Sequence, residues 1–177
     1  AYETALSLHK SGTKLTAIID IRDNSSSEIV NKVKSLGIQI YWNHTVVNTK
    51  GYKRINKVTI MRLNDKGNDV IGKKIELNCD CLAISGGWTP MVHLFTQSGG
   101  KLKFDNKDNI FVPDKTNLNQ LSIGSAKGDF ELDDVLKNSI KDTKKFLQIE
   151  NSNFDKIDVK CSKEKEKKNI WLLPSDR

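Results

Sequence analysis

Cysteine, arginine and aromatic residues are scarce in this sequence, and long apolar runs are missing altogether. Cys79, Cys81 and Cys161 form an odd set without the spacing of a disulfide framework. Cys79 and Cys81 stand two positions apart, where a bridge would close a strained ring, so reduced, intracellular thiols are expected. Arginine is confined to Arg22, Arg54, Arg62 and Arg177. The net charge of +7 therefore rests on lysines that alternate with acids, not on the Arg forks and stacking rings of a nucleic-acid readout surface. No stretch approaches the roughly 18 apolar residues of a membrane span. The chain does not open on a basic-then-apolar signal peptide. The expectations are no nucleic-acid partner, no membrane and a cytoplasmic location. In that compartment the glycosylation-type patterns that begin at Asn24 and Asn43 carry no meaning.

Several chemical signatures are also missing. There is no Cys-x-x-Cys at a helix start, where the dipole would lower a thiol pKa, so Cys79 and Cys81 read as small buried hydrophobes in a strand. "AISGGW" is not the Gly-x-Ser-x-Gly of a nucleophile elbow, which leaves Ser85 without a case as a nucleophile. No Gly-Lys-Ser/Thr completes a Walker loop. His9, His44 and His93 lack the partners of a zinc site, and His93 alone keeps a minor case as ligand or base. No catalytic residue is assigned.

Apolar residues at 37% and aromatics at 7% still support one domain of ordinary size, with part of the chain outside the core. "AYETALSLHKSG" places Tyr2, Ala5, Leu6 and His9 at helical spacing and stops at Gly12. Leu15 to Ile19 is a continuous apolar run ending in Asp20, the pattern of a strand buried on both faces. "SSSEIVNKVKSLG" then offers a Ser cap, an apolar stripe and a terminating Gly37, and "IQIYW" follows as a strand. Helix, strand, helix, strand in this order predicts part of a parallel, doubly wound sheet.

From Thr45 the pattern alternates, with turn signals at Lys50-Gly51 and Asp65-Lys66-Gly67, which predicts an antiparallel meander of about three strands. Cys81 to Ile84 is apolar again and reads as a strand returning to the main sheet. A short helix in "MVHLFTQSGG", strands near Leu102 and Phe111, a strand over Leu121 to Ile123 and a helix from about Asp133 to Ile149 complete the reading. Residues 1–150 are expected to form the domain, and residues 151–177 a charged linker.

Asp20 ends a strand that follows a helix, as the second parallel strand of a dinucleotide-binding fold does, and there such folds place the carboxylate that accepts from the adenosine ribose hydroxyls; a strand-end acid in an exposed loop fits the letters as well. Arg22 could favour a 2'-phosphate or pair with Asp23. Gly86 and Gly87 follow an apolar stretch and would let backbone approach a cofactor or another segment. Gly124 and Ser125 open "GSAKG", a small-residue turn of the kind that lets backbone approach a phosphate or flavin.

"AYETALSLHKSGTKLTAIIDIR", "GIQIYWNHTVVNTKGYKRINKVTI", "CDCLAISGGWTPMVHLFTQSGGKLKFD" and "SIGSAKGDFELDDVL" together resemble the alpha subunit of heterotetrameric sarcosine oxidase, and "NIWLLPSDR" looks like that family's link to a C-terminal folate-binding domain. The resemblance implies an FAD/NAD(P)-binding, Rossmann-like α/β fold with an antiparallel crossover. It implies an internal fragment of a larger oxidoreductase subunit, with bound NAD, or FAD in its place. The implied partners are the beta, gamma and delta subunits. Their complex demethylates sarcosine to glycine with peroxide formation and one-carbon transfer to tetrahydrofolate, the flavin chemistry lying mainly in the beta subunit. Asp20, Arg22, Gly86, Gly87, Gly124 and Ser125 would be the cofactor-binding residues. Against that family, the first strand and phosphate loop would precede Ala1, so the fragment alone is expected to be inactive and a weak binder. A flavoprotein reductase of the pyridine nucleotide-disulfide type and a non-catalytic docking scaffold are the other readings. The first would want a Cys-x-x-Cys or a Gly-Asp flavin motif where this chain has Gly124-Ser125.

Overall fold

The computed structural model describes residues 1–149, which fall into two compact units, Ala1–Ser85 and a second beginning at Gly86. The expected linker and Cys161 lie outside the described residues.

The first unit opens with α1 (Tyr2–Lys10), whose buried face is Tyr2 and Ala5. Strand β1 (Ile18–Asp20) follows, then α2 (Glu28–Ser35) and β2 (Ile40–Trp42). β1 and β2 pair in parallel, with Ile18 opposite Ile40 and Asp20 opposite Trp42. This is the α/β arrangement that the periodicity predicts. The strands differ from expectation in being short and half-buried. Around the pair, Tyr2, Val30, Val33 and Ile38 form a core against which Leu6, Leu15, Ile18, Ile29, Ile40 and Trp42 pack. Ser27 caps α2 in extended conformation, yet its hydroxyl makes no capping bond and is buried without a hydrogen-bond partner among the described residues.

The meander is as expected. β3 (His44–Gly51), β4 (Ile55–Leu63) and β5 (Val70–Asn78) form a three-stranded antiparallel sheet in that order. β4 lies in the middle, and Val58, Thr59, Ile60, Met61 and Leu63 are all buried. Asn43 joins this sheet to the parallel pair. It takes a left-handed φ of 54°, which Asn tolerates better than most residues. Its amide donates to the Arg22 carbonyl at 2.8 Å, its carbonyl accepts from Leu63 at 2.8 Å, and its Nδ2 donates back to the Leu63 carbonyl at 3.2 Å.

The predicted strand over Cys81 to Ile84 does not form. β5 ends at Asn78 and the chain runs on without ladder partners; Cys81 and Ile84 are exposed. A short apolar run supplies the burial tendency of a strand but not the neighbouring edge that a strand needs.

In the second unit, α3 (His93–Gln97) precedes a hairpin of β6 (Lys101–Asp105) and β7 (Ile110–Lys115). The strand expected over Leu121 to Ile123 is a second correction. Ile123 is extended (φ −132°, ψ 162°) but unpaired, and it leads into a 3-10 turn over Gly124–Ala126. Helix α4 (Leu132–Leu147) closes the unit, with Asp133 and Asp134 in its first turn and Lys144 and Lys145 in its last, as the helix dipole favours. Its predicted apolar stripe is only partly covered: Val135, Leu136 and Ile140 are half-buried, while Phe146 and Leu147 are exposed.

Candidate functional site

β1 delivers Asp20 to the carboxyl end of the parallel pair, the place where open α/β sheets bind ligands. Its side chain is 10% exposed and fully engaged. Arg22 lays its guanidinium along the carboxylate, with Nη2 at 2.8 Å from Oδ2 and Nε at 3.1 and 3.2 Å from the two oxygens. The Arg22 amide donates to Oδ1 at 2.9 Å, and the Tyr2 hydroxyl donates to Oδ2 at 2.7 Å. Arg22 also sits 5.8 Å from the Tyr2 ring centre, and Tyr2 stacks on Trp42 at 6.4 Å. Burial alone would push the Asp20 carboxyl up. The hydrogen bonds from Arg22 and Tyr2, with the Arg22 charge, outweigh it and hold the group below the usual carboxylate range. Burial, then the bond to Asp20, pushes the Tyr2 hydroxyl above the usual phenol range.

The structure thus brings Asp20 and Arg22 together and adds Tyr2, which the sequence reading placed only on a helix face. The available signal was a tyrosine on the buried stripe of α1, since a buried phenol usually finds a hydrogen-bond partner.

In the second unit Gly86 and Gly87 lie in irregular chain ahead of α3, Gly87 with φ +93°, and nothing lies within 4 Å of the place a Cβ would occupy at either. Gly124 is buried, with φ +61°, and a Cβ there would come 3.3 Å from Val135 Cγ1. Its carbonyl accepts from the amides of Lys127 and Asp129. A Cβ on Gly128 would come 3.1 Å from Val112 Cγ1 and 3.8 Å from Pro90 Cγ, so the Gly124–Gly128 turn packs on β7 and on the segment that follows Gly87.

Cys79 is half-buried and Cys81 exposed, and neither is in a disulfide. The reading of both as buried strand residues is corrected: both lie beyond the end of β5 at Asn78, Cys79 only half-buried and Cys81 exposed. Burial, the Asp80 charge and Cys81 push the Cys79 thiol up, away from a reactive thiolate. His93 is exposed at the start of α3. Among the described residues no three His, Cys, Asp or Glu side chains gather as a metal site, and no helix is long and apolar enough to cross a membrane.

Sarcosine oxidase subunit alpha of Corynebacterium sp. strain U-96 is 32% identical to this chain over 116 residues, covering 64% of this chain and 12% of that protein. The same subunit of Corynebacterium sp. strain P-1 is 31% identical over 133 residues, covering 74% of this chain and 13% of that protein. The chain is related to the sarcosine oxidase alpha subunit. It spans about an eighth of the length of these curated relatives. No protein-family model matches it. Among solved structures, thioredoxin reductase of T. acidophilum is similar with a TM-score of 0.44 and 20% identity, covering 67% of this chain and 38% of that one. In this alpha-like chain, Asp20, Arg22 and Tyr2 are the residues that converge at a sheet end, while the glycines supply open or tightly packed backbone.

Proposed function

We propose that this chain is the dinucleotide-binding portion of a sarcosine oxidase alpha subunit, with NAD as the occupant and FAD as the alternative. The observation that supports this most is an ionised Asp20 at the carboxyl end of a parallel strand pair, in a chain related to that subunit. A carboxylate is the right acceptor for a ribose diol. In the fit to a dinucleotide, its lone pairs are the limiting feature, because Arg22 and Tyr2 already fill them. A ribose is seated only by exchange, with the Arg22 fork swinging away from Asp20. Once freed, that fork can meet a phosphate, the geometry for which a guanidinium is suited. Gly86 and Gly87 leave room for close approach along the backbone, and the turn at Gly124 and Ser125 offers a second small-residue surface.

A bound dinucleotide supplies two-electron transfer chemistry. The part of this chain is to hold and orient the adenosine end. The activity proposed for the assembly with the beta, gamma and delta subunits is oxidation of the CH–NH bond of sarcosine. Glycine is released, oxygen is reduced to hydrogen peroxide, and the one-carbon unit passes to tetrahydrofolate. The test is sarcosine-dependent peroxide release by the purified assembly that contains this chain. Peroxide formed with sarcosine supports the assignment. Turnover of another N-methyl amine but not sarcosine overturns the substrate, and no turnover of any amine overturns the reaction class.

A further inference from the structure

The β3–β4 hairpin ends in Gly51-Tyr52-Lys53-Arg54, a tip that neither the fold nor the nucleotide reading uses. Tyr52 is 98% exposed, the most open of the large apolar or aromatic side chains among the described residues. Lys53 and Arg54 are exposed and, among the described residues, have no ion-pair partner. Behind them Lys50 and Lys57 converge on one acid, Glu76, at 2.6 and 2.7 Å. Glu76 is thus shared by two lysines, and Lys53 and Arg54 add two more cations in the turn between β3 and β4.

The tip is also tightly turned. Gly51 takes φ +150°, and a Cβ there would sit 2.0 Å from the Arg54 carbonyl oxygen, so the backbone closes tightly where Tyr52 leaves the sheet. Gly51 pairs with Ile55 across the turn, after a register shift between Lys50 and Gly51. A tight turn that displays a tyrosine and an arginine two residues apart has the composition of an interface anchor.

We propose that this hairpin tip docks on an acidic segment of a partner polypeptide, Tyr52 packing on its apolar part and Lys53 and Arg54 pairing with its carboxylates. Charge complementarity selects the acidic partner. A nucleic-acid surface would want several rings and Arg forks where the tip has one of each. A lipid surface would want a broader apolar face beside the basic residues.

The probe is a labelled ten-residue glutamate peptide that ends in leucine, titrated into the 177-residue chain at low salt and read by fluorescence anisotropy. Phosphatidylserine vesicles and a single-stranded oligonucleotide serve as comparison probes. The K53E/R54E variant is expected to weaken peptide binding about tenfold or more, and Y52A, which leaves the charge unchanged, about threefold or more. The K101E/K103E variant changes the net charge equally on exposed residues of β6 and is expected to weaken binding less than about twofold, as diffuse charge is screened. Equal losses in the two charge-reversed variants, or no effect of Y52A, overturn the proposal. It is also overturned if vesicles or oligonucleotide bind through Tyr52 more tightly than the peptide. Circular dichroism confirms that each variant is folded.

Discussion

Asp20 has a structural duty alongside the binding role proposed for it. Its carboxylate ties α1 to the end of β1 through Tyr2 and fixes the Arg22 turn. Asp20→Asn should cost about 3 kcal/mol in urea unfolding, because it removes a carboxylate that lies 2.8 Å from a largely buried guanidinium. Tyr2→Phe should cost about 1 kcal/mol, the worth of a single hydrogen bond. The pH dependence follows from the lowered Asp20 pKa. The folded chain binds this proton less readily than the unfolded chain, so the contribution is present above the ordinary carboxylate range. It is lost as pH falls through the depressed folded value. Urea melts from pH 7 downward should lose stability over that window, and Asp20→Asn should remove that part of the slope. A slope unchanged in the variant would show that other carboxylates carry it. The letters of the sequence put Asp20 at the end of a strand, where it lies, but left the pairing of Arg22 open. Pairing depends on side-chain paths through a folded turn, which spacing alone does not set.

At the scale of elements, legibility followed the strength of the local pattern. The meander was readable because alternation and glycine turns act within a few residues: β3, β4 and β5 lie where the pattern puts them. Cys81 to Ile84 and Leu121 to Ile123 were misread for one shared reason. Each has an extended-favouring apolar run, but a strand exists only where another edge accepts its hydrogen bonds, and that is a long-range property. Gly51 tests the meander directly. Gly51→Ala should cost about 2 kcal/mol or more in thermal or urea unfolding, since its Cβ would strike the Arg54 carbonyl and the left-handed φ would be strained. Gly12→Ala, at φ +83° with open space around the Cβ, should cost less, because strain acts there without a clash. Equal costs at the two positions would contradict the tight closure of the tip.

For the molecule as a whole, the α/β class with an antiparallel insertion was legible in the order of the patterns, and the relation to the sarcosine oxidase alpha subunit in long ordered strings such as "SGGWTPMVHLFTQSGGK". The candidate site was half legible. Strand ends and glycine turns announce where a ligand can approach, but not that Asp20 comes already capped by Arg22 and Tyr2. That capping is why the proposed dinucleotide binding takes the form of an exchange, and this proposal is the central claim to test. The most direct measurement is the nucleotide released by acid from the purified alpha-containing assembly, identified by mass and quantified per chain, for the natural sequence and for Asp20→Ala. The account predicts close to one NAD or FAD per chain in the natural protein and a marked loss in the variant. Full nucleotide occupancy in Asp20→Ala, or no nucleotide in either, would contradict it.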